Sequence, residues 1–397
     1  MQKFLDWLER VLTPLAKVIG ENKYLVAIRD GFLLSTPLLI VGSVFLLIAN
    51  FPLPQWDTWM SHLLGKDWAT MMSVPASASF DVMTILAVVG IAYSLGKQFN
   101  VDAMQAGIIA LVSFFIVTPY QTLFTPENSS KVYEVTSLPL KWMGSSGLFL
   151  GMIVALIATR LFVAIVRKGW TIKMPEGVPP TVVKSFEALI PSFLVVTLMF
   201  LVNWLAALTP YGNLQDVIFE FLQTPLLSLG NTLGAMSIAY LFLHFFWFFG
   251  INGGSVVGAV FNPVLRALSV ENLQAFKDGH EIPNIITGQF QDMFATFGGA
   301  GSTLSLIIVM VLFCKSQRIK KLSQLSLIPG VFGINEPIIF GLPIVLNPIL
   351  LIPFVLVPAI NIIIAYFAMD WGLVPLTNGI QLPWTTPPII SGFLVSG

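Results

Sequence analysis

One amide and one carboxylate stand side by side in the stretch Gly333-Ile334-Asn335-Glu336-Pro337. Together they offer donors and acceptors that suit sugar hydroxyls, and a carboxylate at this point can accept a hydroxyl proton. The flanking glycine and proline disfavour a regular helix. We therefore select Asn335 and Glu336 as candidate substrate-binding residues and Glu336 as the candidate base. The alternative is a solvated turn at a membrane surface.

A second candidate site is the aromatic stretch at 243–254, which ends in several glycines. Aromatic faces stack on the apolar C–H faces of pyranose rings, and a polar residue beside them orients a hydroxyl. This favours Trp247 and Asn252 as sugar-binding residues. The same pattern also fits an aromatic interface belt followed by close helix packing. His244 is a weaker candidate, because a lone histidine in an aromatic helix is more often packed than catalytic.

A third cluster is Pro383-Trp384-Thr385-Thr386-Pro387-Pro388. Trp384 offers another stacking face, and the prolines favour an extended re-entrant segment. An external loop with an interface tryptophan fits the pattern almost as well.

Other kinds of site are disfavoured by composition. The single cysteine and three scattered histidines predict no disulfide, metal or cofactor site. Lys plus Arg and Asp plus Glu number 20 each, so no net charge attracts nucleic acid. The glycine-rich run at 298–302 superficially resembles a phosphate-binding loop, but no lysine follows it. We expect it to pack helices within a membrane span.

Membrane helices must position these residues. The chain has 397 residues, 56% hydrophobic and 10% charged, whereas soluble proteins carry about 25% charged residues. We predict an all-α polytopic membrane protein of about ten transmembrane helices, the last cut short, with re-entrant hairpins. Residues 1–23 predict an amphipathic interfacial helix. The clearest apolar runs are 31–51, 82–95, 103–119, 147–166, 188–208, 233–250, 293–314 and 344–369.

Positive charge predicts the topology, because short loops rich in Lys and Arg stay in the cytoplasm. Basic clusters at 3–29, 160–184 and 315–321 can all be cytoplasmic only if the chain also crosses between 250 and 290. The candidate crossing is 253–268, followed by an external segment at 271–284. A loop without Lys or Arg near residue 230 predicts a boundary between residues 24–230, with five spans, and residues 231–397.

These stretches resemble the membrane component, enzyme IIC, of the lactose/cellobiose/diacetylchitobiose group of the bacterial phosphoenolpyruvate-dependent sugar phosphotransferase system. Residues 23–25 and 28–31 share in the resemblance, which covers the whole chain. Its most specific part is the Gly333–Pro337 stretch followed by Phe340-Gly341-Leu342-Pro343.

The resemblance implies a sugar permease rather than an enzyme, located in the bacterial inner membrane with its N-terminus cytoplasmic. It implies a homodimer in which residues 24–230 form a dimerising scaffold and residues 231–397 bind and transport sugar. Glu336 would hydrogen-bond the 6-hydroxyl of a β-linked disaccharide, such as diacetylchitobiose or cellobiose, and act as base. A separate enzyme IIB would present its phosphocysteine at the cytoplasmic face.

The resemblance also implies that Asn335, Trp247 and Trp384 hold the sugar rings. Asn252 stands where the family commonly has histidine. An amide orients a hydroxyl but does not titrate near neutral pH, which puts any acid/base role at this position in doubt.

Two other functions remain open at the level of sequence. One is a proton-coupled secondary sugar transporter that uses Glu336 as its proton site. The other, less favoured, is a membrane-embedded enzyme acting on lipid or glycan. The basic segments 167–184 and 315–321 fit a docking surface for enzyme IIB, and equally fit topology determinants or lipid-headgroup contacts.

Overall fold

The computed structural model of the chain describes residues 21–51, 53, 55–124, 131–248, 252–342, 344 and 347–396, with Pro14 and Val18. The predicted amphipathic helix over 1–23 lies almost entirely outside these residues. Within them the chain is mostly helical, as predicted. The helices form an N-terminal unit, Lys23–Leu39 with Ser77–Leu226, and a C-terminal unit, which combines Ile40–Ala76 with Leu227–Gly397.

The elements of the first half of the chain include a small antiparallel hairpin of two strands, in which Gln121 pairs with Thr136. In chain order they are α1 (Lys23–Ala49), α2 (Trp56–Leu64), α3 (Trp68–Phe80), α4 (Met83–Gln98), α5 (Ala103–Ile116), β1 (Gln121–Phe124), β2 (Tyr133–Thr136), α6 (Leu140–Met143), α7 (Leu148–Arg167), α8 (Pro180–Glu187), α9 (Leu189–Ala207), α10 (Leu214–Ile218) and α11 (Thr224–Gly230).

Close backbone contact organises the N-terminal unit. A Cβ on Gly31 of α1 would lie 2.5 Å from the backbone nitrogen of Ile91, and one on Gly90 of α4 would lie 2.6 Å from the carbonyl oxygen of Gly31. Small residues at such crossings let membrane helices pack by van der Waals contact. At the start of α5, the Asp102 carboxylate accepts the backbone N–H groups of Met104 and Gln105, which satisfies donors that a helix N-terminus leaves free.

The C-terminal unit contains the broken segments on which the candidate site depends. Its later elements are α12 (Leu233–Phe248), α13 (Gly253–Lys277), α14 (Gly288–Phe290), a π-helical turn (Gln291–Ala295), α15 (Thr303–Phe313), α16 (Gln317–Val331), α17 (Glu336–Gly341), α18 (Pro348–Asp370) and α19 (Ile390–Ser396).

A polar network centred on Asn272 connects α13 to two loops of this unit. The Asn272 side chain is fully buried. Its Nδ2 donates to the carbonyl oxygens of Asn284 at 2.7 Å and Thr377 at 2.8 Å, and its Oδ1 accepts the Asn284 N–H at 2.9 Å. Satisfied hydrogen bonds of this kind make a buried amide tolerable in an apolar interior.

Seven segments of the described chain are long and apolar enough to cross a membrane. They are Lys23–Ala49, Trp68–Gln98, Ser145–Arg167, Pro180–Ala207, Gly253–Lys277, Gly288–Phe313 and Ile349–Asp370. Leu214–Gly230 and Leu233–Trp247 form a further pair, bent by 74°. The total of about ten helices and the re-entrant hairpins stay predictions.

Two predicted boundaries are corrected. Helix α1 begins at Lys23 rather than near residue 31, because Arg29 and Asp30 pair at 2.8 Å and so lower the cost of charge within the helix. Helix α13 continues to Lys277, so residues 271–277 are helical; the external position of 271–284 stays a prediction. The polar residue Asn272 is accommodated within this helix by its hydrogen bonds.

Candidate functional site

The run at 298–302, named here the glycine break, interrupts the segment between the π-helical turn and α15. Gly298, Gly299 and Gly301 have φ values of 76°, 89° and 76°, in the left-handed region that glycine adopts without steric cost. As expected, the run lies within a candidate membrane span, Gly288–Phe313, and it packs closely, because a Cβ on Gly301 would clash with the Phe354 ring of α18. The backbone of the run itself is not helical. Its apolar flanks made a continuous helix and a broken one look alike.

Asn335 connects the Gly333–Pro337 stretch to the glycine break. Its buried Nδ2 donates to the carbonyl oxygen of Ala300 at 2.6 Å and to Thr303 Oγ1 at 2.8 Å. A Cβ on Gly299 would lie 2.8 Å from Asn335 Cγ, so a side chain at that position would disturb the contact. Because both amide hydrogens are used internally, a ligand can use only the Oδ1 acceptor of Asn335.

Trp384 lies against the backbone of the same stretch. Gly333 has a φ of 77°, and a Cβ there would lie 3.3 Å from the Trp384 ring. The indole is nevertheless 59% exposed, which leaves aromatic surface open for stacking. Three residues earlier, the Gln381 N–H donates to Ser43 Oγ of α1 at 2.8 Å and anchors this segment within the C-terminal unit.

A cavity of about 200 Å³ opens where these segments meet. Its lining combines one indole, one carboxylate and three hydroxyl side chains with glycine backbone. The lining residues are Asp292, Met293, Thr296, Phe297, Gly298, Gly299, Val331, Gly333, Trp384, Thr386, Pro388 and Ser391. An aromatic face beside several hydrogen-bonding groups is the chemistry by which a polyhydroxylated ring is recognised.

Asp292 supplies the carboxylate of this cavity and is not among the residues predicted from the sequence. It lies in the π-helical turn, where it accepts a hydrogen bond from Gln291 Nε2 at 3.3 Å and interacts electrostatically with Arg266 of α13. The predicted span began one residue later, so Asp292 was treated as part of a loop. Opposite charges inside two neighbouring apolar segments were the signal available in the sequence.

Of the predicted site residues, only Trp384 is among the described residues that line this cavity; Asn335 lies behind Gly299, and three others lie elsewhere. Trp247 is half-buried against an apolar cluster that includes Ile338 and Phe354. His244 is fully buried, with Nδ1 2.9 Å from the Tyr240 carbonyl oxygen and its ring edge-on to Phe354. Asn252 is exposed, and its Oδ1 accepts the Ser255 N–H at 2.9 Å as the cap of α13.

Glu336 is the first residue of α17, and Pro337 follows in the first turn, where proline is tolerated. The Glu336 side chain lies outside what the structure describes. The residue before it is fixed at its side chain by Ala300 and Thr303 and at its carbonyl by the N–H groups of Ile338 and Ile339, each at 2.9 Å. The hydrogen bonds of Asn335 therefore hold the adjoining backbone of Glu336 in place.

The family model of the phosphotransferase system EIIC matches residues 29–358. The chain belongs to the phosphotransferase system EIIC family. Among relatives of this EIIC chain is the cellobiose-specific EIIC component of Geobacillus stearothermophilus, 40% identical over 100% of this chain and 89% of that protein. The oligo-beta-mannoside-specific EIIC component of Bacillus subtilis (strain 168) is 40% identical over 98% of this chain and 87% of that protein.

A solved structure supports the same assignment. The EIIC chain matches the crystal structure of the transporter ChbC, the IIC component of the N,N'-diacetylchitobiose-specific phosphotransferase system, with a TM-score of 0.95 and 43% identity. The match covers 98% of this chain and 90% of the ChbC chain. The predicted family is thus confirmed, and the chain is a multi-pass sugar permease component of a membrane transport system.

Proposed function

We propose that this EIIC protein binds a β-linked disaccharide such as cellobiose or diacetylchitobiose, carries it inward and presents its 6-hydroxyl for phosphorylation. The phosphoryl donor is the phosphocysteine of a separate enzyme IIB at the cytoplasmic face. The proposal rests on the cavity that Trp384, Gly333 and the Asp292 carboxylate line together. In it the Trp384 ring lies against Gly333, and Gly333 precedes Glu336 by three residues.

The cavity chemistry supports a sugar ring as ligand. Trp384 supplies a stacking face, while Asp292, Thr296 and Thr386 supply groups for hydroxyls. At about 200 Å³ the cavity is smaller than typical ligand pockets of about 300–1,000 Å³. One ring of the disaccharide occupies it, and the other ring extends beyond the lining. The β-linked substrate class is supported by the names of the cellobiose and oligo-beta-mannoside relatives.

The roles of the remaining residues follow from their chemistry. Glu336 hydrogen-bonds the 6-hydroxyl and takes its proton as the phosphoryl group arrives. Asn335 holds the backbone beside Glu336, Asn252 donates through its amide, and Trp247 contacts the second ring. His244 supports the site by packing rather than by contact with sugar.

The protein works as a homodimer in the bacterial inner membrane, with ten transmembrane helices and re-entrant hairpins in each subunit. Its N-terminus is cytoplasmic, which puts the basic segments at 3–29, 160–184 and 315–321 on the side where positive charge is retained. Residues 24–230 form the dimerising scaffold, and residues 231–397 bind and move the sugar.

Binding of labelled cellobiose and diacetylchitobiose to the detergent-purified protein tests the substrate site, with maltose as the α-linked control. Trp384→Ala is expected to weaken binding at least about fivefold, because a stacked aromatic contributes about 1 kcal/mol beyond the area that it buries. Trp371→Ala is the matched control, because Trp371 is also exposed in the C-terminal unit and stacks on Phe367. Equal losses for both variants would remove Trp384 from the site.

Vesicle uptake and phosphorylation test the coupling. Glu336→Gln is expected to retain sugar binding and to lose phosphorylation when phosphorylated enzyme IIB is supplied. Phosphorylation at the wild-type rate would remove Glu336 from the base role. Uptake that depends on a proton gradient, and not on enzyme IIB, would replace this proposal by proton-coupled transport through Glu336.

A further inference from the structure

Three cationic side chains converge on one aromatic ring in the N-terminal unit. The Nζ of Lys23 lies 4.7 Å from the centroid of the Phe99 ring, and the guanidinium carbons of Arg160 and Arg167 lie 5.1 and 5.2 Å from it. We name these four residues the Phe99 cluster. Any two of its cations are therefore within about 10 Å of each other, a distance over which charges repel at physiological salt.

The structure supplies only part of the compensation for this repulsion. Lys23 donates to the Gln98 carbonyl oxygen, Arg167 to the Phe99 carbonyl oxygen, and Arg160 to the Tyr24 hydroxyl, each through one nitrogen. In the described part of the chain, no carboxylate oxygen lies within 4.0 Å of these three cations. Most of their donors remain available, because lysine carries three and arginine five.

The cluster lies where apolar helices end. Phe99 directly follows α4, Lys23 begins α1 and Arg167 ends α7. All three cations are exposed. Exposed aromatic residues flank them, namely Tyr24 and Trp170, which are typical of the membrane–water interface. Arg160 precedes Arg167 by seven positions, so its backbone lies about 10 Å further along α7, and its side chain extends back towards the helix end.

We propose that the Phe99 cluster binds the phosphate of an anionic membrane lipid such as phosphatidylglycerol. The phosphate accepts hydrogen bonds from the two guanidinium groups and the lysine and neutralises their repulsion, while the acyl chains lie along the apolar surfaces of the spans. Basic pockets between transmembrane helices are known to hold anionic headgroups in this way. The depth of the cluster at the helix ends favours a lipid over an acidic protein surface, which would approach from solution.

Thermal unfolding of the full chain in a neutral detergent tests the proposal. Short-chain phosphatidylglycerol is titrated against phosphatidylcholine of the same chain length and against glycerol 1-phosphate. We expect a saturable rise in the unfolding temperature that phosphatidylglycerol alone produces. Arg160→Gln is expected to raise the half-saturating concentration about fivefold, since each basic residue near an anionic surface contributes binding of this size.

Two variants serve as controls. Arg160→Lys keeps the charge and is expected to retain most of the response. Lys141→Gln removes a lysine that also stacks on an aromatic ring, Trp142 at 4.3 Å, but near the opposite end of α7. It is expected to respond as the wild type does. If Arg160→Gln does not fold, Lys23→Gln replaces it with the same expectation.

Four results would overturn the proposal. The first is a rise in unfolding temperature with phosphatidylcholine equal to that with phosphatidylglycerol, and the second is a wild-type lipid response in Arg160→Gln. The third is a full response to glycerol 1-phosphate. The fourth is a loss of enzyme IIB binding in Arg160→Gln while the lipid response persists. The third result would identify free phosphate as the ligand, and the fourth would identify a protein-docking surface.

Discussion

Replacement of Asn335 by alanine tests whether this residue holds the Glu336 backbone in place. The change removes hydrogen bonds of 2.6 and 2.8 Å to Ala300 and Thr303. Each such bond contributes about 1 kcal/mol net, and an acceptor left without its donor costs a further amount of similar size. We expect the free energy of unfolding to fall by about 2–3 kcal/mol and sugar affinity to fall at least about tenfold.

Asn272→Ala is the matched control for this experiment. Asn272 also donates two short hydrogen bonds to oxygen atoms of the C-terminal unit. Asn335 packs against Gly299, which lines the cavity, whereas the partners of Asn272, Asn284 and Thr377, are not next in sequence to any lining residue. It is expected to lose comparable stability while the folded protein binds sugar with wild-type affinity. Thermal unfolding and isothermal titration with cellobiose measure the two quantities separately.

Asn335→Asp separates positioning from direct contact. Aspartate keeps the shape of the side chain and the oxygen that a ligand can reach. Its second oxygen, however, faces two acceptors, the Ala300 carbonyl oxygen and Thr303 Oγ1, because the Thr303 hydroxyl donates its own proton to the Gly298 carbonyl oxygen. The two hydrogen bonds of Asn335 are therefore replaced by repulsion. A positioning role predicts that Asn335→Asp binds as poorly as Asn335→Ala. Wild-type affinity in Asn335→Asp would refute the reasoning, as would equal losses of affinity in Asn335→Ala and Asn272→Ala.

Three further predictions concern other residues. Gly333→Ala is expected to lower the free energy of unfolding by about 1–2 kcal/mol, because alanine is strained in left-handed backbone. The new Cβ would lie 3.3 Å from the Trp384 ring and displace it, which reduces sugar affinity and alters indole fluorescence. The control Gly372→Ala, with φ of 71° and open space around it, should show the backbone strain alone. Asn252→Asp is expected to keep the α13 cap but to weaken sugar binding in titration calorimetry, because it loses the amide donor; unchanged binding would confine Asn252 to capping. The backbone N–H of Gln105, together with Lys184 at 3.3 Å, lowers the pKa of the Asp102 carboxyl below its usual value of 3.8. The stability that this provides is present above the unfolded pKa and is lost as pH falls through the folded pKa. The difference in unfolding temperature between wild type and Asp102→Asn should therefore disappear at acid pH, and a difference that persists would assign the effect to another group.

Hydropathy predicts the helices of this protein well and their breaks poorly. Runs such as 147–166 and 188–208 closely match the ends of α7 and α9, because a long apolar run in a membrane has no alternative to a helix. The glycine break is the converse case. Glycine in an apolar run permits close helix packing and left-handed backbone alike, and the structure shows both, with Gly301 packed against Phe354 and Gly299 against Asn335. These long-range contacts have no local pattern in the sequence.

The candidate site was predicted unevenly for a similar reason. Asn335 and Trp384 stand in glycine- and proline-rich stretches that hydropathy marks as irregular, and the structure brings both stretches to the glycine break; their binding roles stay predictions. Asp292 was missed because its significance depends on Arg266, 26 positions earlier, and such a pairing has no local pattern. Trp247 could not be assigned to cavity or core, since both environments favour an aromatic residue.

The hydrogen bonds of the two candidate amides give them opposite capacities. Asn335 uses both amide hydrogens internally and retains an acceptor, whereas Asn252 uses its oxygen for the α13 cap and retains donors. A sugar hydroxyl can satisfy either, because it both donates and accepts. Neither amide can take up a proton, so the proposed proton transfer from the 6-hydroxyl would use a carboxylate, either Asp292 of the cavity lining or Glu336. Glu336 is the better choice, because the residue before it is held by four hydrogen bonds at its side chain and carbonyl, and a base must keep its distance from the reacting oxygen as the phosphoryl group arrives.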